Sequence, residues 1–206
     1  MTSLCVALTG GIGVGKSTVA EFLSEKGACV VNVDTIGHSI LQPGKEEYQE
    51  IVGIFGKQIL SSKGEIDRSI LGEIVFGSQK KLRELESITH PSINNELLRT
   101  IQSEPAPVVI LDMAVLVEKP LACISGTPLY QKVLVVESVT EARVQRLLKR
   151  GLSEEEIISR MESQASDEER REVADLIIEN NGSLNDLKLN TVTIWEEITL
   201  WLETEL

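Results

Sequence analysis

Residues 4–34 read LCVALTGGIGVGKSTVAEFLSEKGACVVNVD, and this stretch decides the fold of the chain. LCVALTG is an apolar run that ends in glycine, which is the pattern of a buried strand. Apolar residues then recur at helical spacing as far as Gly27, and ACVVNVD forms a second apolar run. A strand, a crossover helix and a second strand within about thirty residues predict a βαβ unit, and therefore a parallel sheet.

Three further apolar runs extend this sheet: PAPVVILDM (105–113), KVLVVES (132–138) and ADLIIEN (174–180). TEARVQRLLKRG (140–151) predicts a helix that opens with a threonine cap and closes on glycine. The residues after 180 predict an amphipathic terminal helix. Five strands alternating with helices indicate an α/β fold with a five-stranded parallel sheet.

Residues 35–104 interrupt this alternation. Their apolar residues recur three and four positions apart, with glycines and prolines between them, which predicts a helical insertion. We therefore expect one domain with three parts: a core of residues 1–34, 105–145 and 174–206, a helical subdomain of residues 35–104, and a lid of residues 146–173.

Composition excludes several classes of protein. The 206-residue chain is 42% hydrophobic and 25% charged, which argues against disorder, and no apolar run approaches the ~20 residues of a membrane helix. A net charge of −12 and 3% aromatic residues argue against nucleic-acid binding. No basic residue precedes Lys16, so we expect no signal peptide. Three cysteines without CxxC spacing predict reduced thiols and a cytoplasmic location, whereas oligomeric state is not predicted.

The glycine-rich residues 10–17, GGIGVGKS, match G-x-x-x-x-G-K-[ST]. Glycines allow a tight turn whose N–H groups point at phosphate oxygens, and the helix that follows adds its positive end. Lys16 would reach the β- and γ-phosphates, and the Ser17 hydroxyl would hold Mg²⁺. The chain has no N-K-x-D guanine-reading string. We therefore predict a site for ATP with Mg²⁺ rather than for GTP.

Two carboxylates end predicted strands beside this loop. In an open α/β sheet, ligands bind beyond the carboxyl ends of the strands. Asp34 is therefore either the base that accepts a proton from a kinase acceptor or the N-cap of the next helix. Asp112 is either a partner to Mg²⁺ or a structural carboxylate at a strand end.

Basic residues and histidines give weaker signals. Arg143, Arg146 and Arg150 are spaced so that one helical face carries three guanidiniums. That face is either solvated and paired with glutamates, or a lid over the transferring phosphate, for which the planar guanidinium is well suited. His90 precedes proline, and a lone histidine is more typical of structural hydrogen bonding than of catalysis.

Six segments, taken in order, resemble the dephospho-CoA kinase family along almost the whole chain. They are VALTGGIGVGKSTVAEFL, NVDTIGHSI, ITHPSI, LDMAVLVEK, EARVQRLLKRGLSEEEIISRMESQ and ADLIIENNGSL. The resemblance implies a fold like that of the nucleoside monophosphate kinases, in which the helical insertion binds the acceptor. It also implies transfer of the ATP γ-phosphoryl group to the ribose 3′-hydroxyl of dephospho-CoA, which gives coenzyme A and ADP.

The resemblance also implies roles for particular residues. Asp34 would be the base, Lys16 would assist transfer, and Arg146 would be the lid arginine, which also contacts ATP. The ATP phosphates and adenine would lie against Gly11, Gly13, Val14, Gly15, Lys16, Ser17, Thr18 and Asn181. Asp34, His90, Glu118 and Arg150 would contact the acceptor, and Ser17 and Asp112 would hold Mg²⁺.

Three positions depart from the family pattern. Asn32 stands where the family usually has the first carboxylate of D-x-D, Ala114 stands where it usually has proline, and His38 falls near a usual arginine. Asn32 and His38 put the acceptor contacts in question, whereas the base is retained. Two alternatives remain open: another nucleotide kinase of the same architecture, which a panel of acceptors would separate, and an ATP-dependent switch that hydrolyses slowly without an acceptor.

Overall fold

The computed structural model describes residues 3–119 and 121–205. Its strands, in chain order, are β1 (Leu4–Thr9), β2 (Cys29–Asn32), β3 (Val108–Asp112), β4 (Cys123–Ile124), β5 (Thr127–Pro128), β6 (Lys132–Glu137) and β7 (Leu176–Glu179). Five of them form one parallel sheet in the order β2-β3-β1-β6-β7, and β4 and β5 form a separate antiparallel pair. The predicted five-stranded parallel sheet is confirmed.

The described residues also form nine α-helices and one 3₁₀ helix, Lys57–Ile59. The helices are α1 (Lys16–Glu25), α2 (Val33–Ser39), α3 (Glu46–Phe55), α4 (Arg68–Phe76), α5 (Gln79–Ser103), α6 (Thr140–Lys149), α7 (Glu154–Glu162), α8 (Asp167–Val173) and α9 (Leu184–Glu205). No helix within residues 3–119 and 121–205 combines the length and the apolar character needed to cross a bilayer.

Helices cover both faces of the sheet, which explains why its central strands read as continuous apolar runs. Successive residues of β1 point to opposite faces. Val6 packs in a cluster with side chains of α1 and α9, whereas Ala7 packs with Ile93 and Leu97 of α5. This packing holds the carboxyl ends of β1, β2 and β3 side by side, where the glycine-rich loop begins.

Helices α2 to α5 lie between β2 and β3 in the chain, and part of this segment has its own core. Helices α3 and α4 and the first half of α5 share a cluster of Ile51, Phe55, Ile59, Ile66, Leu71, Val75 and Ile88. Further along α5, Ile93 packs on the sheet, so this helix connects the two clusters. Pro91 lies inside α5. Packing at Ile88 and Ile93 on either side offsets the hydrogen bond that proline cannot make.

Two features near α6 differ from the sequence predictions or extend them. Thr140 is the first residue of α6 and not its cap, because Val139 holds the cap position without a side-chain bond. The charged stretch 152–172 contains α7 and α8, and each begins with a capping box, Ser153 with Glu156 and Ser166 with Glu169. Caps of this kind stabilise short helices that carry few buried residues.

Candidate active site

The loop between β1 and α1 has the backbone that its glycines predict. Gly13 has a φ of 82° and Gly15 has a φ of 96°, which side-chain-bearing residues rarely adopt. Gly15 precedes α1, and no side chain caps the first turn of that helix. The unpaired N–H groups and the positive end of α1 therefore face the loop, and together they form an anion-binding site.

Neighbouring side chains pack closely against this loop. A Cβ at Gly15 would overlap the side-chain amide of Asn180, and a Cβ at Gly11 would overlap the guanidinium of Arg143. Asn180 is only 6% exposed, and its Nδ2 donates to the carbonyl of Val14 at 2.7 Å. The glycines thus serve close packing outside the loop as well as the turn inside it.

Arg143 and Arg146 of α6 bind loop carbonyls, whereas the third predicted arginine, Arg150, is the C-cap residue of this helix. Arg143 Nε donates to Ile12 O at 3.0 Å, and its Nη1 lies 3.2 Å from a carboxylate oxygen of Asp167. Arg146 Nη1 donates to Gly13 O at 3.3 Å, and its Nη2 donates to Asn180 O at 2.7 Å. Burial lowers the pKa of both guanidiniums, and Asp167 partly restores that of Arg143. These two arginines support the loop and do not form a solvated face.

A cavity of about 170 Å³ opens at the loop. Its lining includes six of the predicted site residues, Gly11, Gly13, Gly15, Lys16, Ser17 and Arg150, together with Ile12, Ala114 and Gln164. Arg150 is exposed, so its guanidinium is free to meet a ligand there. The structure therefore brings these six predicted residues together around one cavity.

Asp112 ends β3, as predicted, whereas β2 ends at Asn32 and Asp34 lies in the first turn of α2, because Asn32 caps that helix two residues earlier than expected. Lys16 forms an ion pair with Asp112, which is only 6% exposed and lies opposite Asn32 in the register of β2 and β3. Asn32 is the N-cap of α2, and its Oδ1 accepts from the N–H of Thr35 at 2.9 Å. Asp34 is therefore not the cap. Among the residues that the structure describes, its exposed carboxylate has no hydrogen-bond or ion-pair partner.

The remaining predicted site residues lie elsewhere. His90 lines a separate cavity of about 280 Å³ with Asn94, Cys123 and Ser125, and burial lowers its pKa. Glu118 lines neither the loop cavity nor the cavity at His90. Its Oε1 accepts from Ala165 N at 2.8 Å and from Arg170 Nη2 at 2.9 Å.

Two more of these residues are Asn181, between β7 and α9, and Thr18, in α1. The exposed Asn181 accepts from the N–H of Val139 at 2.8 Å, and Thr18 lies in the first turn of α1. The sequence analysis missed the loop contacts of Asn180 and Gln164. The sequence ENNG shows two adjacent amide side chains, Asn180 and Asn181, but it does not show which of them contacts the loop.

The fold and the loop define a P-loop kinase: a parallel sheet, a phosphate loop before α1, and a helical insertion after β2. The family model of dephospho-CoA kinases matches residues 4–186. This chain belongs to the dephospho-CoA kinase family.

Curated relatives and solved structures agree with that assignment. The chain is 43% identical over 199 residues to a dephospho-CoA kinase of Corynebacterium glutamicum, covering 95% of this chain and 100% of that protein. It is 40% identical over 197 residues to that of Thermobifida fusca, covering 95% and 96%. The structure of dephospho-CoA kinase from Campylobacter jejuni aligns with a TM-score of 0.69 at 31% identity, covering 94% of this chain and 96% of that one.

Proposed function

We propose that this protein transfers the γ-phosphoryl group of ATP to the ribose 3′-hydroxyl of dephospho-CoA, giving coenzyme A and ADP as the final step of coenzyme A biosynthesis. The observation that carries the proposal is the dephospho-CoA kinase match along residues 4–186, which surrounds a loop shaped for phosphate. Phosphoryl transfer needs little covalent help, so the site has to position two substrates and neutralise charge.

The phosphate side is assigned to the loop cavity. N–H groups between Gly13 and Thr18 would face the phosphate oxygens, and Lys16 would leave Asp112 to neutralise the β- and γ-phosphates. Arg150, the C-cap residue of α6, lines this cavity, so it is the better placed to contact the transferring group. Arg146, the lid arginine implied by the family pattern, acts on the phosphates chiefly by holding the loop.

Ser17 and Asp112 fit a magnesium ion that is bound mainly through phosphate oxygens. Mg²⁺ usually takes one or two protein oxygens and keeps several waters. Ser17 offers an exposed hydroxyl at the start of α1, and Asp112 offers a carboxylate already beside a cation. Mg²⁺ held by Ser17 and Asp112 would neutralise charge on the phosphates as it develops during transfer.

The acceptor side is assigned to the strand ends and the helical insertion. Asp34 would accept the proton of the 3′-hydroxyl as that oxygen attacks the γ-phosphorus in line with the leaving ADP. The free carboxylate of Asp34 supports this role, since Asn32 already caps α2. Residues 35–104 would bind the acceptor, with the cavity at His90 on that side. Residues 146–173 would form the lid, to which Glu118 is tied through Arg170.

The surroundings of the protein follow from charge and cysteine chemistry. A net charge of −12 opposes nucleic acid as a partner. The partners that the family match supports are the small molecules ATP and dephospho-CoA. All three cysteines are unpaired, and burial raises the pKa of Cys5 and Cys29 to about 11, so these thiols stay protonated. Unpaired structural thiols support a reducing compartment, the cytoplasm.

The deciding experiment measures ADP release from ATP and Mg²⁺ with and without dephospho-CoA. Strong stimulation, together with a product that gains one phosphate at the 3′ position by mass spectrometry, supports the proposal. AMP and other nucleotide acceptors serve as controls, because kinases of this architecture differ in acceptor. Stimulation by one of those and not by dephospho-CoA would overturn the substrate assignment.

A further inference from the structure

The peptide groups around Ile12, the third residue of the glycine-rich loop, are held from both sides. The Ile12 N–H donates to Gln164 Oε1 at 2.8 Å, and the Ile12 carbonyl accepts from Arg143 Nε at 3.0 Å. Gln164 lies in the turn between α7 and α8, far from the loop in sequence. The lid segment therefore contacts the phosphate loop through a directed hydrogen bond.

The turn that carries Gln164 is itself fixed by its neighbours. Ala165 N–H donates to Glu118 Oε1 at 2.8 Å, and the same oxygen accepts from the buried Arg170. Asp167, at the start of α8, pairs with Arg143. Residues 164–167 are thus held by the loop, by the segment after β3 and by α6. Gln164 is not a loose surface side chain that reaches the loop by chance.

We propose that Gln164 is a positioning residue that latches the lid to the phosphate loop, through Ile12, during phosphoryl transfer. The inference rests on the proposed kinase function. Glycines on both sides of Ile12 leave this backbone many accessible conformations. Bonds to the Ile12 N–H and carbonyl restrict them, so the N–H groups that follow are aimed before ATP arrives.

The hydrogen bond between Gln164 and Ile12, which we call the latch, also affects the access of water to the site. Gln164 lines the same cavity as Lys16 and Arg150, so the lid turn borders the phosphate site. A lid that stays seated excludes water, which otherwise competes with the acceptor hydroxyl for the γ-phosphorus. We expect the bond to persist with nucleotide bound, because Ala165 and Asp167 of the same turn are anchored at Glu118 and Arg143.

Gln164→Met tests this role, because methionine keeps the length of the side chain and loses the acceptor oxygen. We expect kcat for acceptor-dependent transfer to fall about tenfold, the effect of one lost hydrogen bond. The KM for ATP should change less than about threefold, while the share of ATP lost to hydrolysis rises. Gln164→Ala is a second variant with the same expected direction.

Gln131→Met is the matched control. Gln131 Oε1 accepts from the N–H of Cys5 at 2.7 Å, which is the same kind of bond at the opposite end of β1. This variant should keep the kcat and the hydrolysis share of the parent protein. If Gln164→Met behaves like Gln131→Met in both quantities, the latch is wrong.

Exchange of the Ile12 amide hydrogen, followed by NMR, tests the contact directly. The amide should be protected with and without ADP, and Gln164→Met should accelerate its exchange about tenfold in both states. Gln164→Glu keeps an acceptor oxygen, so it should restore the protection while its charge raises the KM for ATP. Protection restored by ADP in Gln164→Met would show that phosphate takes this N–H and would overturn the latch.

The two proposals fail separately. A parent protein without acceptor-dependent transfer overturns the proposed function, whereas Ile12 exchange still reports whether Gln164 holds the loop. A parent protein that transfers phosphate, with Gln164→Met unchanged in every readout, overturns the latch alone.

Discussion

At the residue scale, the local chemistry of α2 separates capping from catalysis. The Asn32 amide caps the helix, and within residues 3–119 and 121–205 the carboxylate of Asp34, two residues later, has no partner. Asp34→Asn should lower kcat by about 10² or more, because a positioned base typically contributes 10²–10⁴-fold. The affinity for ATP, measured by titration calorimetry, should not change, since the loop contacts are untouched. Unchanged turnover in this variant would remove Asp34 from the base role.

The cap at Asn32 can be tested apart from catalysis. Asn32→Ala should lower the free energy of unfolding by about 1 kcal/mol, because the Thr35 N–H loses its side-chain acceptor. Asn32→Asp, which restores the D-x-D pattern, should stay within about 0.5 kcal/mol of the parent protein, since aspartate caps equally well. Urea unfolding measures both. Equal losses in the two variants would contradict the capping role.

At the element scale, Arg146 of α6 holds the loop, whereas Arg150 at the C-cap of this helix faces the cavity. Arg146→Ala should raise the Kd for ATP about tenfold, because the carbonyls of Gly13 and Asn180 lose a charged donor. Thermal unfolding should also shift downward. Arg150→Ala, at the C-cap of α6, is the control: Arg150 is exposed, so its loss should lower kcat without changing the unfolding temperature. A stable Arg146→Ala with normal ATP affinity would argue against loop support.

The same helix shows where sequence reasoning ends. The i, i+3, i+7 spacing predicts that three arginines share a helical face, but α6 ends at Lys149 and Arg150 is its C-cap residue. Periodicity predicts which face of a helix a residue lies on, but it does not predict the residue's partner. Arg143 donates to the carbonyl of Ile12, which is distant in the sequence. The strands were predictable because their signal is local: a strand that is buried on both faces of the sheet is a continuous apolar run such as VVILD. Gln164 carries no local signal, since its partner is equally distant.

At the scale of the whole molecule, two apolar clusters meet along α5. Ile88 packs with α3 and α4, while Ile93 and Leu97 pack against the sheet. Sites on either side of such a junction can respond differently to a local opening, because local stability varies across a fold. The phosphate loop depends on the sheet cluster, and the proposed acceptor side depends on the helical one.

Leu71→Ala separates the two clusters. Leu71 is 4% exposed in α4, so truncation should cost about 2–5 kcal/mol within the helical cluster. We expect faster hydrogen exchange in α3 and α4, a raised KM for dephospho-CoA and an unchanged Kd for ATP. Ile110→Ala in β3 is the control, because Ile110 packs with α1 in the cluster on the other face of the sheet, and its loss should weaken ATP binding and global stability together. If Leu71→Ala weakens ATP binding as much as Ile110→Ala does, the helical insertion and the sheet unfold as one unit, and the acceptor side has no separate stability.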